Sequence, residues 1–286
     1  MFRAGLAIAT LGLVWTLWPA PGAGAYSTIY RLGRSRYRQG PRVAIDLGHF
    51  NDSPTDYRFL ALADLLTSDG YRVTRSRQYL IPEFLKDTRL LVIGNPMPYP
   101  AGFGRLADWL GLSERATLAS EELNAVHDWV RSGGSLLLEA YAPASARAAA
   151  PLAAEFGLHF HDCRAPVFLP AAELGEHPIL EGSSEHNEHV VSAAVLAGGW
   201  IESGAAAPAI IPLLKAPLAA SGVSGSCTAG KPLAVALEFG RGRVVALSAQ
   251  LERDEDLVRR TGVDPRRADN RQFVLNTFHW LSRGID

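Results

Sequence analysis

The sequence predicts an α/β protein with a mostly parallel sheet, helices on both faces and an antiparallel extension. Three observations carry this. The apolar runs at 43–46, 89–94 and 135–140 do not alternate, as expected of parallel strands buried on both faces. Stretches of helical period stand between them. Two late apolar runs, 232–239 and 243–249, flank Gly240-Arg241-Gly242 and read as a hairpin.

The elements follow in order. Val43-Ala44-Ile45-Asp46, after Pro41-Arg42, is a buried first strand. Ser53-Pro54-Thr55-Asp56 is a helix start: Ser53 caps, Pro54 suits the first helical position, and Asp56 lies three residues past the cap. That helix runs to Ser68 with Tyr57, Leu60, Ala61, Ala63, Leu65 and Leu66 as its apolar face, and Asp69-Gly70 ends it. Residues 71–75 alternate like a half-buried or edge strand. The strand at 89–94 stops at Asn95-Pro96. Residues 97–118, rich in Pro and Gly, form an insertion with one helical turn near 106–110. Ser120-Glu121-Glu122 opens a helix with Leu123, Val126 and Val130 on one side, closed by Gly133-Gly134. A third buried strand follows, then an Ala-rich helix at 144–156 despite Pro151. Between 158 and 230 the pattern weakens, with short strands expected at 167–169 and 209–214. Asp269-Asn270 caps a last helix over 271–281, with Phe273, Val274, Thr277, Phe278 and Leu281 inward.

The N-terminus predicts export. Arg3 forms a basic start, residues 4–18 are apolar and uncharged, Pro19 to Gly22 break any helix, and Ala23-Gly24-Ala25 fits the small-residue rule for cleavage before Tyr26. The apolar run is shorter than the roughly 20 residues that span a bilayer. Residues 1–25 are thus a signal peptide, with an uncleaved anchor as the alternative, and the domain is periplasmic or secreted. An Arg-rich leader spans 26–41 and a single domain 42–284. Without Arg3 the chain carries 27 basic and 29 acidic residues, a balance that argues against nucleic acid as partner. Arg31, Arg34, Arg36, Arg38 and Arg42 cluster before and at the first strand. They suit either peripheral contact with an anionic membrane or a solvated leader. The two cysteines, Cys163 and Cys227, stand in loop-like sequence, where an oxidising compartment allows a disulfide.

In sheets of this kind ligands bind outside the carboxyl ends of the strands. Polar residues recur there: Asp46, His49 and Asn51 after the first strand, Asn95 after the 89–94 strand, Glu139 and Tyr141 after the third, and Ser248 and Gln250 after the second arm of the hairpin. Asp46, His49 and Asn51 read as an acid/base pair with an orienting amide, as part of a metal shell, or as a tie for the loop. Glu139, after three leucines, is costly to bury without a partner, so it is either a held acid/base group or an ion pair. His186 and His189, three apart, would share a helical face, but no third ligand lies nearby and no metal site is assigned. His127 and His279 read as surface or core fillers. No Gly-x-Ser-x-Gly, P-loop, Gly-x-Gly-x-x-Gly or HExxH occurs, and the sequence names no cofactor.

Several pieces in this order resemble a known family: 43–51, the Asn95 strand end, Val126-His127-Asp128-Trp129-Val130-Arg131-Ser132-Gly133-Gly134-Ser135-Leu136-Leu137-Leu138, His177-Pro178-Ile179-Leu180-Glu181-Gly182, Gly240-Arg241-Gly242-Arg243-Val244-Val245, and Asp269-Asn270-Arg271-Gln272-Phe273 with Asn276 and His279-Trp280-Leu281. Together they resemble class I glutamine amidotransferase-like proteins, and in particular the exported bacterial group DUF4350. The resemblance implies a flavodoxin-like sheet and adds Asn270 and Gln272 to the residues expected to bind ligand. True amidotransferases place a cysteine just after the strand that here ends Leu138-Glu139-Ala140. This chain has none there, so glutaminase activity is not expected. The expected function is a nucleophile-free module that binds a small polar ligand, a sugar or a cell-envelope glycan. The alternative is an exported hydrolase, metal-assisted or not, using Asp46, His49 and Glu139.

Overall fold

A computed structural model describes residues 35–51, 58–100, 103–111, 117–204, 208–217, 229–250 and 268–286. The expected α/β class holds. Five strands are parallel: β1 (Arg42–Asp46), β2 (Arg72–Ser76), β3 (Leu90–Gly94), β4 (Ser135–Glu139) and β9 (Gly242–Leu247). β8 (Pro232–Phe239) runs antiparallel to β9 and closes the expected hairpin, and β7 (Ile211–Lys215) pairs antiparallel with β8. The order β2-β1-β3-β4-β9-β8-β7 begins with the flavodoxin-like arrangement and carries the antiparallel extension at one edge.

The helices cover the two faces as the apolar pattern requires. α1 (Arg58–Ser68) and α7 (Asn270–Leu281) lie on one face, with Phe59, Leu62, Leu66, Phe273 and Phe278 packed on Val43, Val92, Leu137 and Val245. α2 (Pro82–Leu85), α4 (Ser120–Arg131) and α5 (Pro143–Glu155) lie on the other, with Val126, Val130 and Leu152 against Ala44, Ile93 and Leu138. α3 (Gly104–Trp109) is the expected turn in the insertion, and α6 (Pro178–Glu181) packs on α7. Gly70 ends α1 in the left-handed region, at φ 92°. The α1 stripe differs from expectation: Phe59 and Leu62 are buried, whereas Leu60 is exposed. The start of that helix at Ser53, Pro54 and Asp56 lies outside the described residues.

The weakly patterned middle holds the main surprise. The strands expected at 167–169 and 209–214 are present, the second as β7 and the first as part of a longer β5 (Leu158–Pro170), which pairs with an unexpected β6 (Ser192–Ser203) in antiparallel fashion with a register shift between Asp162 and Ala165. With β10 (Ala249–Gln250) they build a second, three-stranded sheet. Period-two alternation fails in β6 because it is buried almost end to end and rich in Ala and Gly. The glycines allow close backbone approach: a Cβ built on Gly198 would lie 1.3 Å from the Tyr141 carbonyl oxygen, at the turn after β4. Cys163 is buried inside β5 rather than in a loop, and Cys227 lies outside the described residues.

The leader is more than a solvated approach. Arg31 and Arg34 lie outside the described residues, but Arg36 is built into the fold. Its Nη1 pairs with Glu188 at 3.2 Å and its Nη2 donates to the Gly284 carbonyl at 2.7 Å. Tyr37 stacks edge-on with Tyr71, and both hydroxyls meet Ser282 Oγ. The domain therefore begins before residue 42. No helix among the described residues is long and apolar enough to cross a membrane.

Candidate functional site

The chain leaves β1 for β2 on one side and returns to β3 on the other, so the crevice of an open α/β sheet falls at the carboxyl ends of β1 and β3. The loop after β1 folds around the Asp46 carboxylate. Asp46 Oδ1 accepts the Gly48 N–H at 2.9 Å, and Oδ2 meets His49 Nδ1 at 2.8 Å and Asn51 Nδ2 at 3.0 Å. Asn51 Nδ2 also donates to the Asp46 carbonyl at 2.8 Å. An aspartate that binds donors two, three and five residues ahead organises its own turn, which is why so short a segment holds one shape.

His49 reaches beyond that loop. Its Nε2 stands 3.3 Å from Glu122 Oε1 and 3.4 Å from Oε2. Glu122 is the third residue of α4, and its carboxylate accepts the Ala119 N–H at 3.0 Å and the Leu80 N–H at 2.9 Å. Asp46, His49 and Glu122 are all buried. Burial of the ring works against its charged form, but the hydrogen bonds and charges of Asp46 and Glu122 outweigh it and raise the His49 pKa above the usual histidine value. The His49 ring thus bridges two buried carboxylates and joins β1, α2 and α4. Glu122 was legible in the sequence only as a helix-start acid; nothing there marked its reach to His49.

Asn95 follows β3 in the left-handed region, φ 51°, which Asn tolerates. Its N–H donates to the Glu139 carbonyl at 2.6 Å, and the Met97 N–H donates to the His49 carbonyl at 3.0 Å, so the β1, β3 and β4 ends are laced together. The side-chain oxygens of Asn51 and Asn95 are both buried without a hydrogen-bond partner among the described residues.

Asp46, His49 and Asn51 therefore form one cluster, and backbone bonds tie the strand end that carries Asn95 to it. Glu139 is close in the chain register but not in direction. Asp46 lies in the row of Ile93 and Leu138, toward α4, whereas Glu139 pairs with Gly94 and Leu247 one residue further, toward α1 and α7. The sheet itself separates Glu139 from the Asp46–His49 pair, because successive side chains point to opposite faces. Tyr141 sits under Gly198, and Gln250 pairs with Leu196 in the second sheet.

Asn270 and Gln272 belong elsewhere. Asn270 Nδ2 donates to the Ala194 carbonyl at 2.7 Å and its Oδ1 accepts the Ala194 N–H at 2.9 Å, which pins α7 to β6. Asp269, expected to cap this helix, instead accepts the Val191 and Ser192 N–H groups. Gln272 donates to Asn276 Oδ1 at 2.9 Å, and Asn276 donates to the carbonyls of Ile179 and Glu188. Gln272 lines a cavity of about 620 Å³, with Arg36, Asp69, His186, Glu188 and His279. There His279 Nε2 meets Asp69 Oδ2 at 2.7 Å, so His279 is a buried hydrogen-bond partner rather than a filler. Ser248 is buried, and its hydroxyl donates to the Gly199 and Leu233 carbonyls. His177 caps α6 through Nδ1, which accepts the Ile179 N–H, and its ring stands edge-on to Trp280. Desolvation, helped by the Arg243 charge, lowers its pKa to about 4. No group of three or more metal-ligating side chains occurs among the described residues, so His186 and His189 are not joined by a third ligand there.

No family model matches the chain, and no curated protein matches it. Solved structures do. The mmIFT52 N-terminal domain superposes with a TM-score of 0.56 at 11% identity, over 84% of this chain and 97% of that one. The cytoplasmic protein STM1381 from Salmonella typhimurium gives 0.50 at 15% identity, over 84% and 98%. A ThuA-like protein from Parabacteroides merdae gives 0.50 at 11% identity, over 86% and 91%. At such identities the likeness concerns the fold alone. ThuA-like proteins have a class I glutamine amidotransferase-like fold, and that is the fold of this chain.

Proposed function

We propose that this chain is an exported binding module that keeps the amidotransferase-like frame, in the manner of the DUF4350 group, and takes a small polar ligand at the β1/β3 crevice. The observation that carries the reading is the state of His49. Both ring nitrogens are engaged by buried carboxylates, so neither is available to take a proton from water or substrate. A hydrolase built on Asp46, His49 and Glu139 also needs Glu139 on the same side of the sheet as His49, and it is not. Glutaminase chemistry lacks its thiol after β4.

What the crevice offers instead is acceptors. The unpartnered oxygens of Asn51 and Asn95 suit a ligand rich in hydroxyl or amide donors, as a cell-envelope glycan is. Calorimetric titration with soluble N-acetylglucosamine oligomers and muropeptides tests this. The expected result is saturable binding that Asn95→Ala weakens about tenfold, the cost of one well-made hydrogen bond, and that Gln272→Ala leaves unchanged. Absence of binding across the panel removes the glycan reading. Turnover of an ester or amide substrate that disappears in His49→Gln favours the hydrolase. We further propose that Cys163 and Cys227 form the one disulfide of the exported protein. Thiol titration of the denatured, unreduced chain then finds no free thiol, and two titratable thiols refute the pairing.

A further inference from the structure

We infer that the opposite end of the sheet carries a separate binding site for phosphate groups. A groove of about 770 Å³ opens at the amino-terminal ends of the strands, away from the β1/β3 crevice. Four cations from four segments line it: Arg42 at the first residue of β1, Arg72 at the first of β2, Lys86 after α2, and Arg89 just before β3. Asp87 is the single acid among the lining residues, and its contact with Arg42 is a loose one at 3.8 Å between two exposed side chains. Trp129 forms a wall, its indole N–H fixed on the Thr88 carbonyl at 3.2 Å.

The fold uses little of this charge. Arg72 spends Nε on the Gly40 carbonyl and Arg89 spends Nη1 on the Gly133 carbonyl, at the end of α4. A guanidinium has five N–H donors, so each keeps donors for another partner. Lys86 has no side-chain ion pair or hydrogen bond among the described residues. Behind the groove, Arg243 is neutralised by Glu238 and Asp286. Burial lowers the Arg89 pKa, and Arg283 and Arg243 add to this as like charges. A structural network would place an acid there, and none lines the groove except Asp87. Arginine forks with a lysine beside them match the geometry and charge of a phosphate monoester or diester better than a lone carboxylate. The groove is wide enough for a headgroup or for one repeat of an anionic polymer.

The shared chemistry fits free phosphates and the phosphodiester headgroups of a membrane, and two probes separate them. The full chain is titrated with inorganic pyrophosphate by calorimetry and co-sedimented with phosphatidylglycerol or phosphatidylcholine vesicles at low salt. Lys86→Glu and Arg42→Ala are the test variants, and Arg105→Glu, an exposed cation on α3, is the control. One cation near an anionic surface is worth about fivefold in affinity. Lys86→Glu changes the charge by two and is expected to weaken binding roughly 20-fold, Arg42→Ala about fivefold, and Arg105→Glu not at all. Pyrophosphate binding with this pattern identifies a soluble phosphate site. Vesicle binding with this pattern, confined to phosphatidylglycerol, identifies a headgroup site. The inference fails if neither probe binds, if phosphatidylcholine binds equally, or if Arg105→Glu weakens binding as much as Lys86→Glu.

Discussion

Two aspartate–histidine pairs, His49 with Asp46 and His279 with Asp69, are alike in length, at 2.8 and 2.7 Å, and alike in burial. They differ in everything around the ring. Asp46 and His49 lie three residues apart in one loop, and a second carboxylate, Glu122, waits at the far nitrogen. Asp69 and His279 lie 210 residues apart, and the far nitrogen of His279 is buried with no hydrogen-bond partner among the described residues. The first pair fixes the shape of a loop and the charge of a ring. The second fastens the end of α1 to α7 and to the leader, whose Arg36 N–H also falls on Asp69. A buried Asp–His contact is therefore not in itself a catalytic sign; the partner of the other nitrogen decides what the ring can do.

The largest effect expected is from cutting either pair. Asp46→Ala strips His49, Gly48 and Asn51 of their acceptor at once and leaves the His49 ring on Glu122 alone. Asp69→Ala leaves His279 with neither nitrogen paired. Each is expected to cost about 3–5 kcal/mol in urea unfolding. If either costs under 1 kcal/mol, that pair does not brace the fold.

The pH dependence sharpens the comparison. The folded-state pKa of His49 is raised, so its contribution is complete below the unfolded histidine value of about 6.5 and fades as pH rises through the folded value. His49→Gln is expected to flatten that alkaline loss. His177 behaves in the opposite sense. Its pKa is lowered to about 4, so the protein loses stability as pH falls from about 6.5 toward 4. The loss is about 2–3 kcal/mol at the conversion of 1.36 kcal/mol per unit. His177→Asn, which keeps a capping side chain, should remove most of this acid loss. Unfolding curves between pH 4 and 9 check both; an acid limb unchanged in His177→Asn assigns it to other groups.

Smaller effects follow at the pins. Asn270→Ala leaves the Ala194 N–H and carbonyl without their partners and is expected to cost about 1–3 kcal/mol. Asn95→Gly relieves a left-handed residue and is expected to change stability by less than about 1 kcal/mol, in the stabilising direction. A large loss there would mean that the Asn95 side chain is held by more than its backbone.

The contrast between the two pairs also explains what the sequence made legible. Asp46, His49 and Asn51 could be read as one unit because their contacts span five residues. Asn95 could be placed because strand ends converge once the strands are known. Glu122 and Asp69 could not, since their partners are 73 and 210 residues away. The parallel core was readable because its strands are uniformly apolar. The β5–β6 pair was not, because a bulge interrupts β5, and β6 spends its central positions on Ala and Gly for close packing rather than on the β-branched residues that announce a strand. Asn270 was expected to bind ligand; the contacts of its side chain amide are with the backbone of Ala194, for which it stands in as a partner.

The close approach of Gly198 to Tyr141 limits what the turn after β4 can hold. That turn lies at backbone distance from a strand of the second sheet. A bulkier turn would meet a ceiling there, and any side chain at Gly198 would push that ceiling down onto it. The two sheets are fitted to one another at a point where neither segment can grow without the other giving way.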